Sequence, residues 1–406
     1  MHILYIHQYF KTPEEGGAIR SYYLAKGMAD AGHRVDLITS HAEKVYKKEF
    51  IDGIQVHYLP VNYDQHFSFL QRVKAFLRFV LMACTKASEL GKFDISYVSS
   101  TPLTTGLIGL YLKCRYGVPY VFEVRDLWPE APVQMNIIRK SWLRYQLYSL
   151  EKRIYQQAKA IVALSPGSQE YISALVPYRK VLLIPNMSDC SFFRKAEKHA
   201  YHEQQFDVVG KFVVSYFGAV GKVNRLDYLL DAAEASKNKL LHEVVFLIAG
   251  QGSELDKLQA EAAQRGLDNV RFVPYHNKYG LLSLLNVTDA AYISFADLPV
   301  LQHCSPNKLF DALAAGKLSI VNVQGWMRDM LEAHQCGFYT NPHQPEDFVQ
   351  KIVRFINEPG LLEMYQNNAR QLAEAEFSRE LQIKKLLNLI EEEQSQAEVK
   401  AYTLSL

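Results

Sequence analysis

HILYIHQYFKTPEEGGAIRSYYLAKGMADAGHRVDLIT, residues 2–39, is the stretch on which the fold turns. ILYIH (3–7) is a short apolar run of strand length. AIRSYYLAKGMADAG (18–32) carries apolar residues at helical spacing and ends on glycine, as a helix C-terminus prefers. VDLIT (35–39) is a second strand. A strand, a crossover helix and another strand make one parallel unit. No basic segment precedes HILYIH and a glycine-containing loop follows it, so it reads as a buried first strand rather than an export signal.

The alternation continues outward. Strand-like runs recur at IQVHYL (54–59), ISYVSS (95–100), YVFEV (120–124), AIVAL (160–164) and VLLIP (181–185), with helical stretches such as LTTGLIGLYLKCRYG (103–117) between them. Residues 189–210 are polar and aperiodic and read as a linker. A second series opens at KFVVSYFG (211–218) and runs through VVFLIAG (244–250), VRFVP (270–274), AAYISF (290–295) and LSIVNV (318–323). From about residue 344 to 395 only helices are expected. The reading is an α/β chain of two Rossmann-like, doubly wound domains facing a cleft at the carboxyl ends of their strands. Its divisions are an N-terminal domain 1–188, a linker 189–210, a C-terminal domain 211–375, and a C-terminal helix and tail 376–406 returning to the first domain.

With 406 residues, 49% of them apolar, the chain has ample material for two cores and is neither disordered nor fibrous. The net charge of +2 conceals an asymmetry: residues 1–180 hold 23 Lys and Arg against 15 Asp and Glu, the remainder 22 against 28. A basic half suits an anionic partner. Lipid headgroups fit; nucleic acid is not expected, since no aromatic-plus-basic RNA signature is present. The five cysteines are scattered, without metal-ligand spacing, and read as free thiols in a reducing compartment. No apolar run approaches the ~20 residues of a membrane span, so a membrane role would be peripheral.

Several segments carry chemistry. Gly16-Gly17 precedes a helix, where backbone amides can approach an anion; a plain tight turn fits equally. EVRDLWPE (123–130) directly follows a strand. Asp126 there can accept a hydrogen bond from a reacting hydroxyl and Arg125 can hold it ionised, or the two can form a bridge that pins the loop. In HCSPNKLFDALAAGK (303–317), Ser305 suits an N-cap and Pro306 the first helical position. The helix-start amides at Asn307 and the charge of Lys308 can hold a diphosphate, and Asp311, one turn on, can take a ribose diol; an ordinary capped helix is the alternative. GAVGKVNR (218–225) offers Gly218 for close backbone approach and Lys222 and Arg225 against phosphate, or is simply a basic loop. FSFLQRVKAFLRFVLMACTKASELGK (67–92) sets Phe67, Leu70, Val73, Phe76, Leu77 and Val80 in a stripe flanked by Arg72, Lys74, Arg78 and Lys86. Such a helix can lie on a membrane surface or pack its stripe on the sheet.

Together these segments resemble the retaining family 4 glycosyltransferases of the two-domain GT-B fold. The resemblance runs over nearly the whole chain, through IHQYFKTPEEGGAIRSYYLAKGMADAGHRVDLIT, VSSTPLTTGLIGLYLKCRYGVPYVFEVRDLWPEAP, IVALSPGSQEYI, VLLIPNMSD, LIAGQGSELDKLQ and SPNKLFDALAAGK. EVRDLWPE and SPNKLFDALAAGK are similar to the bacterial branch that builds O-antigen, capsule and exopolysaccharide, which includes N-acetyl-fucosaminyl transferases.

The resemblance implies a nucleotide diphosphate sugar donor, UDP-HexNAc or a deoxy-HexNAc, on the second domain. It implies a polyprenyl-diphosphate-linked acceptor and a cytoplasmic enzyme peripheral on the inner membrane face through helix 67–92. No cofactor or metal is expected, as no Asp-x-Asp or His/Cys cluster offers ligands. The family's paired glutamates fall on His303 and Asp311, and its phosphate-binding Arg and Lys near Ala219 and Asn224. Lys308, Lys222 or Arg225 would take over the phosphate, Lys308 foremost. Asp126, Lys308 and His303 are the implied catalytic residues; Gly218, Ser305, Asn307, Asp311 and Tyr275 line the donor; Gly16, Gly17 and Arg125 lie on the acceptor side. An epimerase or hydrolase on the same fold, or a non-catalytic nucleotide-binding module, are the competing readings.

Overall fold

The computed structural model describes residues 1–404 apart from 18, 65, 66, 240, 275 and 276, with side chains as far as residue 392; Tyr275 therefore lies outside the described residues. The chain divides into two compact units. One comprises Met1–Pro13, Ala18–Pro185 and Glu380–Leu406; the other comprises Glu14–Gly17 and Asn186–Arg379.

The sheet of the first unit holds β1 (His2–Ile6), β2 (Arg34–His41), β3 (Lys47–Ile51), β4 (Ile54–Pro60), β5 (Ile95–Ser99), β6 (Tyr120–Val124), β7 (Ala160–Ala163) and β8 (Lys180–Leu183). Their order is β3-β4-β2-β1-β5-β6-β7-β8, parallel except for the β3–β4 hairpin. Strand order reverses between β1 and β5, so the loops after those strands diverge at the carboxyl edge, where open α/β sheets bind ligands. β3 is an element that the apolar-run reading misses. KKEFI is a charged edge strand without an apolar run, closed by Asp52 and Gly53 at φ 46° and 85°, the positive pair a tight hairpin requires.

The second sheet holds β9 (Phe212–Ala219), β10 (Val244–Gln251), β11 (Val270–Val273), β12 (Ala290–Ile293), β13 (Leu318–Val321) and β14 (Gly337–Tyr339), all parallel, in the order β11-β10-β9-β12-β13-β14. Its reversal lies between β9 and β12. β14, three residues long, is too short to register as a run in the sequence. The Pro345–Asn357 helix covers one face by spacing Phe348, Ile352 and Phe355 down a single stripe, all at most 1% exposed. Burying such a side chain is worth roughly 1.5–3 kcal/mol.

Three expectations need correction. Residues 189–210 do not form a free linker: they belong to the second unit, carry the short Ala200–Gln205 helix, and bury Phe193, Phe206 and Val208. Their apolar residues are too sparse to show a period, yet these three are buried while Tyr201 and Val209 stay exposed. The Phe69–Leu90 helix buries Ala75, Phe79, Val80, Ala83 and Ala87, whereas Leu70 and Leu77 of the expected stripe stand 77% and 48% exposed. Small residues let that helix approach closely, and they select a face that a count of large apolar residues does not. Finally, the Pro306 helix start is displaced by one residue, as described below.

The Arg379–Leu404 helix returns to the first unit, where Leu386, Leu389 and Ile390 are buried. A Cβ placed on Gly27 would come within 2.5 Å of Ile383 Cγ2, so glycine there admits the helix. No helix among the described residues is long and apolar enough to cross a membrane.

Candidate active site

In the second unit, the loop after β9 begins at Gly218, whose φ of 132° and lack of Cβ both matter. A Cβ there would sit 3.3 Å from Cε and Nζ of Lys308. Lys308 Nζ donates to the Tyr216 hydroxyl at 2.6 Å and lies 3.9 Å from that ring's centre. The Tyr216 hydroxyl donates in turn to the Ala219 carbonyl at 2.5 Å. Lys308 forms no ion pair among the described residues, and burial pulls its amine down to about 7. An arriving anion would favour the charged form and gain a full cation. The neighbouring loop is pressed against this one: a Cβ on Gly250 would meet the Gly218 carbonyl at 2.0 Å, and one on Gly252 the Val220 carbonyl at 2.3 Å. These glycines therefore serve loop-on-loop packing.

The helix carrying Lys308 spans Asn307–Ala314, with Pro306 in the cap position and no side-chain cap bond. Ser305 is not the cap. Its hydroxyl instead accepts from the Asn186 amide at 3.4 Å, and its carbonyl from Asn186 Nδ2 at 2.5 Å. The amides of Asn307 and Lys308 have no acceptor among the described residues, as expected of a helix start. Asp311 follows one turn along, partly buried, its carboxyl raised to about 7 by burial, with Lys278 opposing and Asp189 adding to the rise. His303 closes the Pro299–His303 turn just before this helix and is partly buried.

The two basic residues of the β9 loop are not gathered at Lys308. Arg225 is held bidentately by Asp227, at 2.6–3.0 Å, and stacks 4.5 Å over Tyr228. It spends its charge locally, a pairing two residues apart that the isolated motif did not weigh. Lys222 is exposed and makes no ion pair among the described residues.

Sequence reasoning missed the residues of the 186–189 segment that hold this helix and its surroundings. Besides Asn186, the buried Ser188 hydroxyl donates to the Phe310 carbonyl at 2.8 Å. Asp189 pairs with Lys278 and, at 2.9 Å, with Arg379, which together hold its carboxyl below the usual range despite burial. The segment PNMSD was visible, but its partners named here lie 89 to 190 residues away in the chain. Among the described residues, no group of three or more His, Cys, Asp or Glu is arranged to hold a metal ion.

In the first unit, the charges at the end of β6 are almost entirely paired. Glu123, fully buried, accepts from Arg20 Nε at 2.9 Å, Tyr97 hydroxyl at 2.7 Å and Ser99 hydroxyl at 2.7 Å. Burial alone would raise its carboxyl; Arg20, Arg125 and the two hydroxyls outweigh that and lower it. Arg20 also donates to the carbonyls of Pro185 (2.5 Å) and Ile184 (2.9 Å). Arg125 Nη1 reaches His7 Nε2 at 3.1 Å, and His7 Nδ1 lies 2.9 Å from the Ser21 hydroxyl. Burial and Arg125 pull His7 down to about 3, so its ring is neutral, accepting from Arg125 and donating to Ser21. The bridge expected between Arg125 and Asp126 does not form. Asp126 is exposed and has no hydrogen-bond or ion-pair partner among the described residues. Gly16 and Gly17, expected on the acceptor side of the first domain, group instead with the second unit; they sit at φ 70° and 86°, so both need glycine.

This pairing of two reversing sheets matches known proteins. A family model described as "Glycosyl transferase 4-like domain" matches residues 15–187, and one described as "Glycosyl transferases group 1" matches 197–372. The chain belongs to the GT-B glycosyltransferases of this group 1, GT4-like type. A relative named "Putative colanic acid biosynthesis glycosyl transferase WcaI", from Escherichia coli K12, is 25% identical over 216 residues, 52% of each chain, so the match spans about half of that relative. Among solved structures, sucrose-phosphate synthase from Thermosynechococcus elongatus superposes with a TM-score of 0.78 at 16% identity, over 97% of this chain and 99% of that one. HepE from Anabaena, solved in complex with UDP, gives 0.68 at 19% identity over 97% and 100%.

Proposed function

We propose that this chain transfers a sugar, with retention, from a uridine diphosphate sugar to a hydroxyl of a lipid-linked saccharide in bacterial surface polysaccharide synthesis. The observation that carries the donor half is Lys308. Among the described residues it is a partly buried amine without a counter-charge, packed on the Gly218 backbone beside two unpaired helix-start amides. Diphosphate supplies the anion such an arrangement lacks. Asp311 takes the ribose diol, and His303 a hydroxyl of the transferred sugar. Charge building on the leaving diphosphate meets donors already in place, which is where electrostatic preorganisation lowers a barrier. HepE, solved with UDP, and WcaI, named for colanic acid biosynthesis, support the donor and polymer classes.

On the first unit, Asp126 is the charge at the β6 end left without a partner among the described residues, and we assign it to the acceptor hydroxyl. Arg125 acts by holding the loop through His7. The Phe69–Leu90 helix turns Leu70, Leu77 and Leu81 outward, at 77%, 48% and 70% exposed, on one face with Lys74 and Arg78. We assign that face to an anionic membrane surface. Leu77→Glu with Leu81→Glu should abolish sedimentation with vesicles containing phosphatidylglycerol while leaving melting temperature unchanged; retained sedimentation rejects the assignment.

The decisive experiment follows sugar release and transfer from UDP-sugars in the presence and absence of membrane lipid extract. Transfer should require the extract. In Lys308→Ala it should fall on the order of 10²–10³-fold, the size of one lost transition-state donor. Donor consumption without any acceptor, at an equal rate, would instead make the chain a hydrolase or epimerase.

A further inference from the structure

The second unit holds another cavity, a groove of about 490 Å³ between the Lys278–Val287 helix and the 192–202 segment. Its volume lies within the range of small-molecule sites, roughly 300–1,000 Å³. One wall is apolar: Phe192 and Tyr279 meet edge to face with ring centres 5.5 Å apart, and Leu282 extends the wall by a turn. Tyr279 and Leu282 remain 56% and 38% exposed.

The floor has a different character. Lys317 lines the groove, is only 5% exposed, and its amine has no hydrogen-bond or ion-pair partner among the described residues. The carboxylate that acts on it, Asp289, is already engaged by Lys198 Nζ at 2.5 Å and the Val213 amide at 2.7 Å. Burial lowers the Lys317 amine to about 8, with Asp289 opposing and Lys198 and Lys195 adding to the fall. His199 lies on the groove as well. Its Nδ1 accepts from the Tyr201 amide at 3.2 Å, which leaves the Nε2 proton as a donor. A buried cation without a partner is costly, and here the missing partner is an anion. Lys317 and Asp289 immediately precede β13 and β12, at the amino ends of the strands; Gly218 lies at the carboxyl end of β9. The floor of the groove and the Lys308 site thus sit at opposite edges of one sheet.

We propose that this groove binds a small amphiphilic anion, its phosphate or carboxylate on Lys317 and His199 and its apolar or aromatic body along Phe192, Tyr279 and Leu282. The cation selects the charge, and the exposed wall supplies apolar area that a bare phosphate cannot use. The ligand is thereby distinguished from inorganic anions and from neutral aromatics.

The test is calorimetric titration of the full chain with 1-naphthyl phosphate, with inorganic phosphate and 2-naphthol as separate arms. Saturable binding of 1-naphthyl phosphate, at least tenfold tighter than either control, is expected. Lys317→Met keeps the aliphatic length and removes the charge; Leu282→Asp sets a carboxylate in the exposed wall. Each should weaken binding tenfold or more; Leu282→Asp should leave the melting temperature unmoved and Lys317→Met, which removes a costly buried charge, should not lower it, while Lys308→Ala leaves binding within twofold. Equal binding of either control, no saturable binding, or unchanged binding in Leu282→Asp overturns the proposal. Loss of binding in Lys308→Ala would return the probe to the carboxyl-edge site and overturn it as well. Should Lys317→Met fail to fold, the Leu282→Asp and Lys308→Ala pair decides.

Discussion

The two units use buried charge in opposite ways at equivalent edges of similar sheets. At the end of β6, Glu123 has three donors and Arg20 three acceptors, and His7 is consumed between Arg125 and Ser21. At the start of the Asn307–Ala314 helix, among the described residues, Lys308 has a single neutral hydroxyl and two backbone amides are unpaired, while burial raises the Asp311 carboxyl to about 7. A buried ion pair that is fully hydrogen-bonded is a structural joint, costly to break from one side. A partly buried charge with vacant geometry around it is a place where a ligand completes the set. The difference distinguishes residues that build the edge from residues that work at it, even though both groups are charged and both follow parallel strands.

The most severe way to break that contrast is to remove one side of the joint. Arg20→Met leaves Glu123 buried without its cation and strips two carbonyls of their donor. A loss of about 3–5 kcal/mol from the first unit is expected. Urea unfolding followed by hydrogen exchange on β1 and β6 peptides reads it. Glu123→Gln added to Arg20→Met should recover part of the loss, because no bare charge then remains. Stability within about 1 kcal/mol of wild type in Arg20→Met would mean the pair is no more structural than Lys308.

A gentler probe sharpens the other side. Asp311 must be ionised to accept two ribose hydroxyls, so its contribution to UDP binding grows as pH rises through about 7. Lys308 must be protonated, so its contribution fades as pH rises through about 7. Opposed limbs give an affinity maximum near neutrality, falling by up to about tenfold per pH unit on either side. Asp311→Asn should retain only the alkaline fall and Lys308→Met only the acid one. The ionisation of UDP is common to all three proteins, so differences among them report the side chains. Identical profiles in all three would remove both residues from the donor site.

How much of this was legible in the sequence depends on distance along the chain. The alternation of apolar runs and helical stretches, and the glycines that end stretches 18–32 and 103–117, are local signals, and both sheets apart from β3 and β14 follow from them. The Lys308 helix was legible for the same reason, since proline and a basic residue at a helix start act within one turn. Ser305 shows the limit. Its position suits a cap, but its hydroxyl is claimed by Asn186, 119 residues away, and a local rule cannot see that competitor. Arg20 and Glu123 stand 103 residues apart; neither sequence segment identifies the other until strand order puts them together. Arg225 failed differently. Asp227 was in plain view, and a pairing two residues apart outcompeted the phosphate role that a basic loop suggests. For β3 the Asp52-Gly53 turn was the available signal, overridden by the absence of an apolar run.

The smallest expected effect asks whether the open site depends on its supports as strictly as the joint depends on its pair. Ser188 donates to the Phe310 carbonyl from beneath the Lys308 helix, and its own amide donates to the Phe377 carbonyl at 2.8 Å. Ser188→Ala removes only the first bond. The Phe310 carbonyl also serves the helix ladder, so no acceptor is left wholly unsatisfied, and the loss should be about 1 kcal/mol of stability. Asn186 still holds Ser305 at the start of the helix, so UDP affinity should fall by less than about fivefold, under 1 kcal/mol at about 1.4 kcal/mol per tenfold. Melting curves and UDP titrations on the same preparation separate the two quantities. A large loss of affinity with little loss of stability would show that the helix is positioned by one bond rather than by a set. The second unit's edge would then be as finely dependent on a single partner as Glu123 is on Arg20.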